Sequence, residues 1–185
     1  MPVAPAFLAA IGQYRARTPA EVADLDRARA LLARADPWSR SAPLHVTGSA
    51  VVVHPLTGRV LLRWHERQQA WLQVGGHADP GETDPFVTAL REGIEETGLA
   101  DLRAWPGPEP TLLHLVAVPV PAGKGEPAHE HLDVRYVLAT ATPDEIQPET
   151  PSARLRWMPA DEAVAFTSEE NLKVMLRRVA ALLSA

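Results

Sequence analysis

The sequence has no cysteine among its 185 residues, which excludes disulfide bonds, zinc–thiolate sites and thiol nucleophiles. Lysine is scarce too, with two lysines beside sixteen arginines, and these 18 basic side chains are outnumbered by 23 acidic ones. The net charge of −5 therefore gives no indication of nucleic-acid or membrane-surface binding. The apolar run at 4–11 is too short to span a membrane and lacks the basic flank of a signal peptide. We expect a cytoplasmic protein.

The chain length suits one domain with an added segment. Residues 5–36 are predicted to form two helices. The second begins at Thr18 and Pro19, which supply its N-cap and its first helical residue. Glu21, three residues after the cap, completes a capping box. We assign 1–43 to an N-terminal helical extension and linker. This extension is expected to pack on the domain or on a second subunit, which leaves a homodimer open.

The pattern becomes rich in β-formers from residue 44 onward, and the main domain is placed at 44–185. Apolar runs separated by proline and glycine turns predict strands at 46–53, 60–64, 71–74, 111–120, 132–139 and 154–158. Helices are predicted at 85–97, for about seven residues from Pro159, and at 169–183. Strands flanked by helices indicate an α/β sandwich with a mixed sheet.

The densest chemical signal lies at 76–98, where a glycine-rich loop precedes a short helix. Asp84 and Pro85 predict the start of this helix, as an N-cap acceptor and a proline at the first helical position. Gly98 predicts its end. The glycines before the helix, Gly75, Gly76 and Gly81, let the backbone come close to a ligand or a metal ion.

Three glutamates share one side of this helix. At ~100° per residue, Glu95 lies about 60° to one side of Glu92, and Glu96 lies about 40° to the other. Clustered carboxylates repel one another, and hard cations such as Mg²⁺ or Mn²⁺ neutralise them. Arg91 can hold one carboxylate through its guanidinium fork. A solvated face is the simpler explanation of three glutamates, but the neighbouring glycines, caps and arginine favour a metal site. The opposite side is expected to be a buried apolar face of Phe86, Val87, Leu90 and Ile94.

The segment resembles the signature of the Nudix hydrolases, G-x5-E-x7-R-E-U-x-E-E-x-G-U, in which U is a bulky aliphatic residue. The matching residues are Gly76, Glu82, Arg91, Glu92, Glu95, Glu96, Gly98 and Leu99. The resemblance covers roughly 44–165 and implies a Nudix-type α/β/α sandwich. It also implies hydrolysis of a phosphoanhydride bond in a nucleoside diphosphate linked to another moiety, so the expected partner is a small molecule and neither a nucleic acid nor a membrane.

Three positions depart from the family pattern. Eight residues rather than seven separate Glu82 from Arg91, Gly93 stands where a bulky aliphatic residue is usual, and Val74 replaces a common proline. Pro85 keeps the usual six-residue distance to Arg91, so the inserted residue lies ahead of the N-cap and the helix register is retained. With this insertion, the family's contact between Glu82 and Arg91 does not follow from the spacing.

The resemblance also implies roles for single residues. One to three Mg²⁺ (or Mn²⁺) ions would be held by the carbonyl oxygen of Gly75 and by Glu92, Glu95 and Glu96. Arg91 and Glu82 would orient these ligands, and Glu92 could instead be the base that deprotonates water. In some members the base comes from a later loop, for which the candidates here are Glu149, Glu130, Glu169 and Glu170. Each of these could equally be an ordinary surface carboxylate.

The histidines form a separate signal. His45 opens the first strand, His77 follows the glycine pair, and His129, Glu130, His131 and Asp133 form a dense run entering a later strand. Because side chains alternate along a strand, the residues at 129, 131 and 133 are expected to share one face. Neutral imidazole is a common metal ligand, so His45, His77, Glu130 and His131 are a candidate second metal or phosphate site. Hydrogen bonds within the protein are the simpler explanation.

Two other functions compete with the hydrolase. An enzyme similar to isopentenyl diphosphate isomerase, a Nudix relative whose metal site uses histidines and glutamates, would have His45, His77 and Glu130 in that site. The intact signature and the lack of cysteine disfavour it. A non-catalytic Nudix-fold sensor that binds a nucleotide tends to lose signature glutamates, and none is lost here. The substrate stays open among nucleoside triphosphates, ADP-ribose, dinucleotide polyphosphates and coenzyme A derivatives.

Overall fold

The computed structural model describes residues 3–34, 36–123 and 125–185. Residues 1, 2 and 35 of the predicted extension and residue 124 of the loop before the histidine run lie outside the described residues. The helices are α1 (Pro5–Gln13), α2 (Pro19–Leu32), α3 (Pro85–Thr97), α4 (Ala160–Phe166) and α5 (Glu170–Leu183). The strands are β1 (Leu44–His54), β2 (Arg59–His65), β3 (Ala70–Leu72), β4 (Val74–His77), β5 (Arg103–Ala104), β6 (His114–Val120), β7 (His129–Ala139) and β8 (Leu155–Pro159). No helix in the described ranges is long and apolar enough to cross a membrane.

The α/β sandwich with a mixed sheet and an N-terminal helical extension is confirmed. The predicted strand at 71–74 instead divides at Gln73, because β3 pairs with β2 whereas β4 pairs with β1. The glycine pair consequently lies in strand β4 rather than in a loop. The strand predicted at 111–120 begins only at His114, and the two-residue strand β5 was not predicted.

Strand β1 is the centre of the sheet. One edge pairs in parallel with β7 from Leu44 to Val53, while the other pairs antiparallel with β4 and then with β2. Every residue of β1 after Leu44 is buried, as expected for a strand that is covered on both faces. Because side chains alternate, Val46, Ala50 and Val52 join one core, and Val51 and Val53 join the other.

The helices form two layers around this sheet. Residues of α1, α2 and α3 share the core that contains Val52, whereas α4 and α5 share the core that contains Val53. The apolar residues predicted for the C-terminal helix supply much of the second core, namely Leu172, Met175, Leu176 and Val179.

Helix α3 buries only part of the apolar face predicted for it, since Phe86 and Leu90 pack against the core as half-buried residues. Val87 and Ile94 are 49% and 38% exposed, whereas Ala89 is buried. Gly93 explains how closely the helix approaches the sheet, because a Cβ there would lie 3.0 Å from Leu102 Cδ1. Small residues such as Ala89 and Gly93 therefore form the most buried part of this helix, and the predicted face was wrong for Val87 and Ile94.

A buried polar cluster attaches the extension to α5. Thr18 caps α2 by accepting a hydrogen bond from the Glu21 amide (3.2 Å), so half of the predicted capping box forms. The Glu21 carboxylate does not close the box; it accepts hydrogen bonds from the Tyr14 hydroxyl (2.7 Å) and the Arg17 amide (3.2 Å). It also pairs with Arg178, and both charged groups are buried. The extension thus packs on the domain of its own chain.

Breaking this ion pair should destabilise the protein. Glu21→Gln leaves Arg178 buried without its counter-charge, so the free energy of unfolding at pH 7 should fall by about 3 kcal/mol. Urea denaturation measures the change. Glu109→Gln, at an exposed loop position, is the matched control and should change it by less than about 0.5 kcal/mol.

The same ion pair should make stability depend on pH. Burial alone would raise the pKa of Glu21, but hydrogen bonds from Tyr14 and Arg178 outweigh it and hold that pKa below the ordinary 4.5. The stabilisation is therefore complete above pH 4.5 and is lost as the pH falls through the lowered pKa. The difference between wild type and Glu21→Gln should shrink in acid; a constant difference would contradict this account.

Candidate functional site

Arg91 joins the acidic residues of the signature segment. Its Nε lies 2.9 Å from Glu82 Oε1 and its Nη2 lies 3.2 Å from Glu82 Oε2, so this contact forms despite the inserted residue. Nη2 also donates to the carbonyl oxygen of His77 (2.8 Å). Nη1 lies 3.0 Å from one oxygen of Glu92 and 3.0 Å from one of Glu95. Arg91 therefore ties β4, the following loop and α3 together.

Glu82 has hydrogen-bond donors on both sides. Besides Arg91, it accepts hydrogen bonds from the amide of Asp79 (3.0 Å) and the hydroxyl of Thr88 (2.9 Å). Burial would raise the pKa of Glu82, but these hydrogen bonds outweigh it and leave the pKa below its ordinary value. Glu82 is an ionised anchor between the loop and α3, which suits positioning rather than chemistry.

Glu92 and Glu96 face the glycine pair from α3. A Cβ on Gly76 would lie 2.3 Å from Glu92 Oε1, so only glycine leaves room for that carboxylate. Glu96 accepts a hydrogen bond from the amide of Gly75 (3.0 Å) and pairs with Arg63 Nη1 (3.1 Å). Burial raises the pKa of both carboxyl groups, and it raises that of Glu96 to about 7. These two glutamates lie in an environment that disfavours their negative charge.

Glu95 differs from the other two glutamates because its side chain is 53% exposed. It contacts Arg91 rather than the strand backbone. All three lie on one side of α3, where Arg91 contacts Glu92 and Glu95, whereas Arg63 and the Gly75 amide hold Glu96. Among the described residues, the group that brings ligand atoms within 4.8 Å of one another consists of histidines and not of these glutamates.

The later glutamates lie in different surroundings. Glu149 contacts Arg63 Nη2 (3.0 Å), and the same arginine holds Glu96. Glu169 lines the cleft in front of the glycine pair. Glu170, by contrast, lies on the surface and pairs with Lys173 (2.6 Å).

Glu130 lies away from the site. The prediction that it groups with His45, His77 and His131 is therefore wrong. Its two oxygens contact Arg27 of α2 at 3.1 and 2.5 Å. The reason is strand alternation: a residue next to His131 in sequence faces the opposite side of the sheet.

A cleft of about 770 Å³ opens on the face of the sheet that carries α5. Its lining includes Glu96, the glycine pair and the histidines at 65, 77, 129 and 131. Asp133 lies on the floor and accepts hydrogen bonds from Thr47 (3.0 Å), Ser49 (2.9 Å) and Arg135 (2.7 Å). Sequence analysis did not identify this floor. The polar residues at alternate positions of otherwise apolar β1 and β7 are the signal that indicates it.

His45, which does not line the cleft itself, groups with three of the lining histidines, His77, His129 and His131. His45 on β1 lies beside His131 on β7, and His77 on β4 lies beside residue 47 of β1. The Nε2 atoms of His45 and His77 are 3.1 Å apart, and those of His129 and His131 are 3.2 Å apart. Burial lowers the pKa of His45, His77 (to about 3) and His131 (to about 4), so these rings are neutral at pH 7.

Comparisons with known proteins agree on one family and fold. Residues 44–179 match the family model described as NUDIX domain. A NUDIX-family hydrolase from Clostridium perfringens is 25% identical with a TM-score of 0.59, over 75% of this chain and 97% of that one. An Ap4A hydrolase from C. elegans is 21% identical with a TM-score of 0.58, over 75% and 97%. The dihydroneopterin triphosphate pyrophosphohydrolase of E. coli is 19% identical with a TM-score of 0.57, over 78% and 98%. The last two likenesses concern the fold alone. None of the curated proteins compared matches the chain.

The two adjacent glycines of β4 should respond differently to alanine. At Gly75 a Cβ would lie 2.6 Å from the Cα of Ser49 and φ is +148°, so Gly75→Ala should lower the free energy of unfolding by roughly 2 kcal/mol or more. At Gly76 the Cβ would meet only the flexible end of Glu92, so Gly76→Ala should cost less than about 1 kcal/mol and displace that carboxylate. Urea denaturation measures both variants. Gly107→Ala, which has open space around it, is the control, and equal losses at 75 and 76 would contradict the geometry.

Proposed function

The chain belongs to the Nudix hydrolase family, and from that premise we propose that it cleaves a phosphoanhydride bond in a nucleoside diphosphate linked to another moiety, with Mg²⁺ or Mn²⁺ as cofactor. The observation that carries the proposal is the complete set of signature glutamates on α3, two of which face the glycine pair. The expected partner is therefore a small, polyphosphate-containing molecule.

The acidic residues suit a divalent cation in both charge and ligand type. Glu96 is buried with a pKa raised to about 7, although Arg63 and the Gly75 amide both stabilise its charged form. A divalent cation would supply the positive charge that this carboxylate needs. Carboxylate and carbonyl oxygens are also the hard ligands that magnesium and manganese prefer.

Glu92, Glu95 and Glu96, with the carbonyl oxygen of Gly75, would hold the cation. When bound, it would neutralise the charge of the diphosphate and lower the pKa of an attacking water. Glu95 is exposed and can leave Arg91 by changing its side-chain rotamer, whereas Arg91 stays anchored by Glu82. Arg91 and Glu82 would act as positioning residues that fix the loop against α3.

We assign the role of general base to Glu149. It lies beside Arg63, which also holds Glu96, so it is linked to the acidic side of the cleft. Its side chain is 52% exposed and accessible to water. Glu92 is less suited to this role, because it is enclosed between Arg91 and Gly76.

The competing functions receive less support. Glu130 pairs with Arg27 on the other face of the sheet, so the histidine and glutamate grouping of an isomerase-like site does not form. A non-catalytic sensor would be expected to lack some of the signature glutamates, and all of them are present in this chain. A parallel assay with isopentenyl diphosphate separates the isomerase from the hydrolase, and nucleotide binding without turnover would favour the sensor.

Substitutions on α3 test the cation site. Glu95→Gln and Glu96→Gln should each lower turnover by about 100-fold or more, since each removes a charged ligand of the metal. Hydrolysis is measured by separating the phosphorylated products on an anion-exchange column, with Mg²⁺ and with Mn²⁺, on nucleoside triphosphates, ADP-ribose, dinucleotide polyphosphates and coenzyme A derivatives. Glu162→Gln on the exposed side of α4 is the control and should leave turnover unchanged. Full activity of either α3 variant, with folding intact, would refute the metal assignment.

A second pair of variants tests the base. Glu149→Gln should lower kcat by about 100-fold with little change in KM. Glu169→Gln should change kcat by less than about 3-fold, because Glu169 only lines the cleft. The opposite ranking would transfer the role to Glu169.

A further inference from the structure

The four histidines next to the cleft form a compact group contributed by three strands. We call His45, His77, His129 and His131 the histidine cluster. The ring centre of His45 lies 5.1 Å from that of His77, 5.3 Å from that of His129 and 5.0 Å from that of His131. The ring centres of His77 and His131 are 4.7 Å apart. No residue of the acidic site on α3 belongs to this cluster.

Backbone contacts fix the proton on two of the rings. Nδ1 of His45 lies 3.1 Å from the carbonyl oxygen of Ala42, and Nδ1 of His129 lies 2.9 Å from that of Pro127. Only a protonated Nδ1 makes such a contact favourable, since the carbonyl can only accept. In a neutral ring the lone pair is then on Nε2. Histidines that bind metals commonly donate their other N–H to a backbone carbonyl in this way.

The Nε2 atoms of these rings point toward other histidines. Nε2 of His45 lies 3.1 Å from Nε2 of His77, and Nε2 of His129 lies 3.2 Å from Nε2 of His131. Two nitrogens bound to one tetrahedral zinc ion at about 2.0 Å are about 3.3 Å apart. The observed separations are therefore close to those of ligands that share one ion.

We propose that His45, His77 and His131 bind one divalent transition-metal ion of the zinc class. These three side chains are the group of described residues whose potential ligand atoms all lie within 4.8 Å of one another. The strand pairing holds them there, because His45 is in register with His131 on the neighbouring parallel strand.

Ligand chemistry separates this site from the one on α3. Imidazole nitrogens suit zinc and its neighbours in the first transition series, whereas carboxylate oxygens suit magnesium and manganese. His77 and His131 line the same cleft as Glu96, so an ion in the histidine cluster would face a ligand in that cleft. The proposal does not depend on the hydrolase assignment, since metal binding is measured without turnover.

Direct phosphate binding by the histidine cluster is the competing explanation. A phosphate would need protonated imidazolium groups, and the burial that keeps these rings neutral opposes protonation. The carboxylate of Asp133 would also repel a phosphate, because it lies two residues from His131 on the same face of the strand. The cluster is therefore better suited to a cation.

Titration with Co²⁺ and Zn²⁺ tests the proposal on full-length protein that carries no histidine tag and has been treated with a chelator. We expect one tetrahedral Co²⁺ per chain, counted by its visible absorption, and displacement of that ion by one equivalent of Zn²⁺. His77→Ala and His131→Ala should each weaken binding by about 100-fold or more, because each removes a direct ligand. Thermal unfolding checks that each variant is folded.

Two control variants locate the ion. His54→Gln, which changes a β1 histidine that contacts Thr57, should bind cobalt as wild type does. Glu95→Gln should also leave the cobalt spectrum unchanged, because Glu95 belongs to the acidic site on α3. The spectrum therefore tests the histidine cluster separately from the proposed cation site on α3. Loss of binding in Glu95→Gln but not in His131→Ala would overturn the proposal.

Imidazole NMR of the wild type gives a measurement that needs no variant. Zn²⁺ should shift the Nε2 resonances of the histidine cluster and leave that of His54 in place. No shift on adding Zn²⁺, or a shift caused by inorganic phosphate alone, would overturn the proposal.

Discussion

The parallel pairing of β1 with β7 is the contact on which the site depends. Its register places His45 beside His131, Thr47 beside Asp133 and Ser49 beside Arg135. Farther along the same two strands, the residues of the same face are apolar and lie under α5. A slip of one residue would turn every polar side chain of one strand toward the opposite core. The apolar C-terminal parts of β1 and β7 under α5 therefore fix the register of their polar N-terminal parts in the cleft.

The closeness of α3 to the sheet is a second constraint. A Cβ on Gly48 would lie 2.1 Å from the carbonyl oxygen of Pro85, so the first turn of the helix nearly touches β1. Gly93 lets a later turn of the helix come equally close to the side chains of Leu102 and Leu138. With the helix so near, Glu92 and Glu96 reach the backbone of the glycine pair. The departure from the family pattern at Gly93 is thus compatible with the placement of the glutamates.

Structural features that depend on neighbours in the sequence were predictable. The cap at Asp84, the end at Gly98 and the common side of the three glutamates follow from contacts within about four residues, which helical periodicity describes. The roles of Arg63 and Asp133 were not predictable, because each depends on which strands become neighbours. Glu130 shows the same limit. Its neighbours in sequence suggested a place among the histidines, but strand alternation and Arg27 hold it on the other face.

The N-terminal helices have a practical consequence for work on this protein. Phe7, Ile11 and Trp38 are part of the same buried core as α3. A chain trimmed to the family-matched segment would expose that hydrophobic surface to solvent and would be prone to aggregate. Activity screens on such a fragment would then report loss of solubility rather than loss of chemistry.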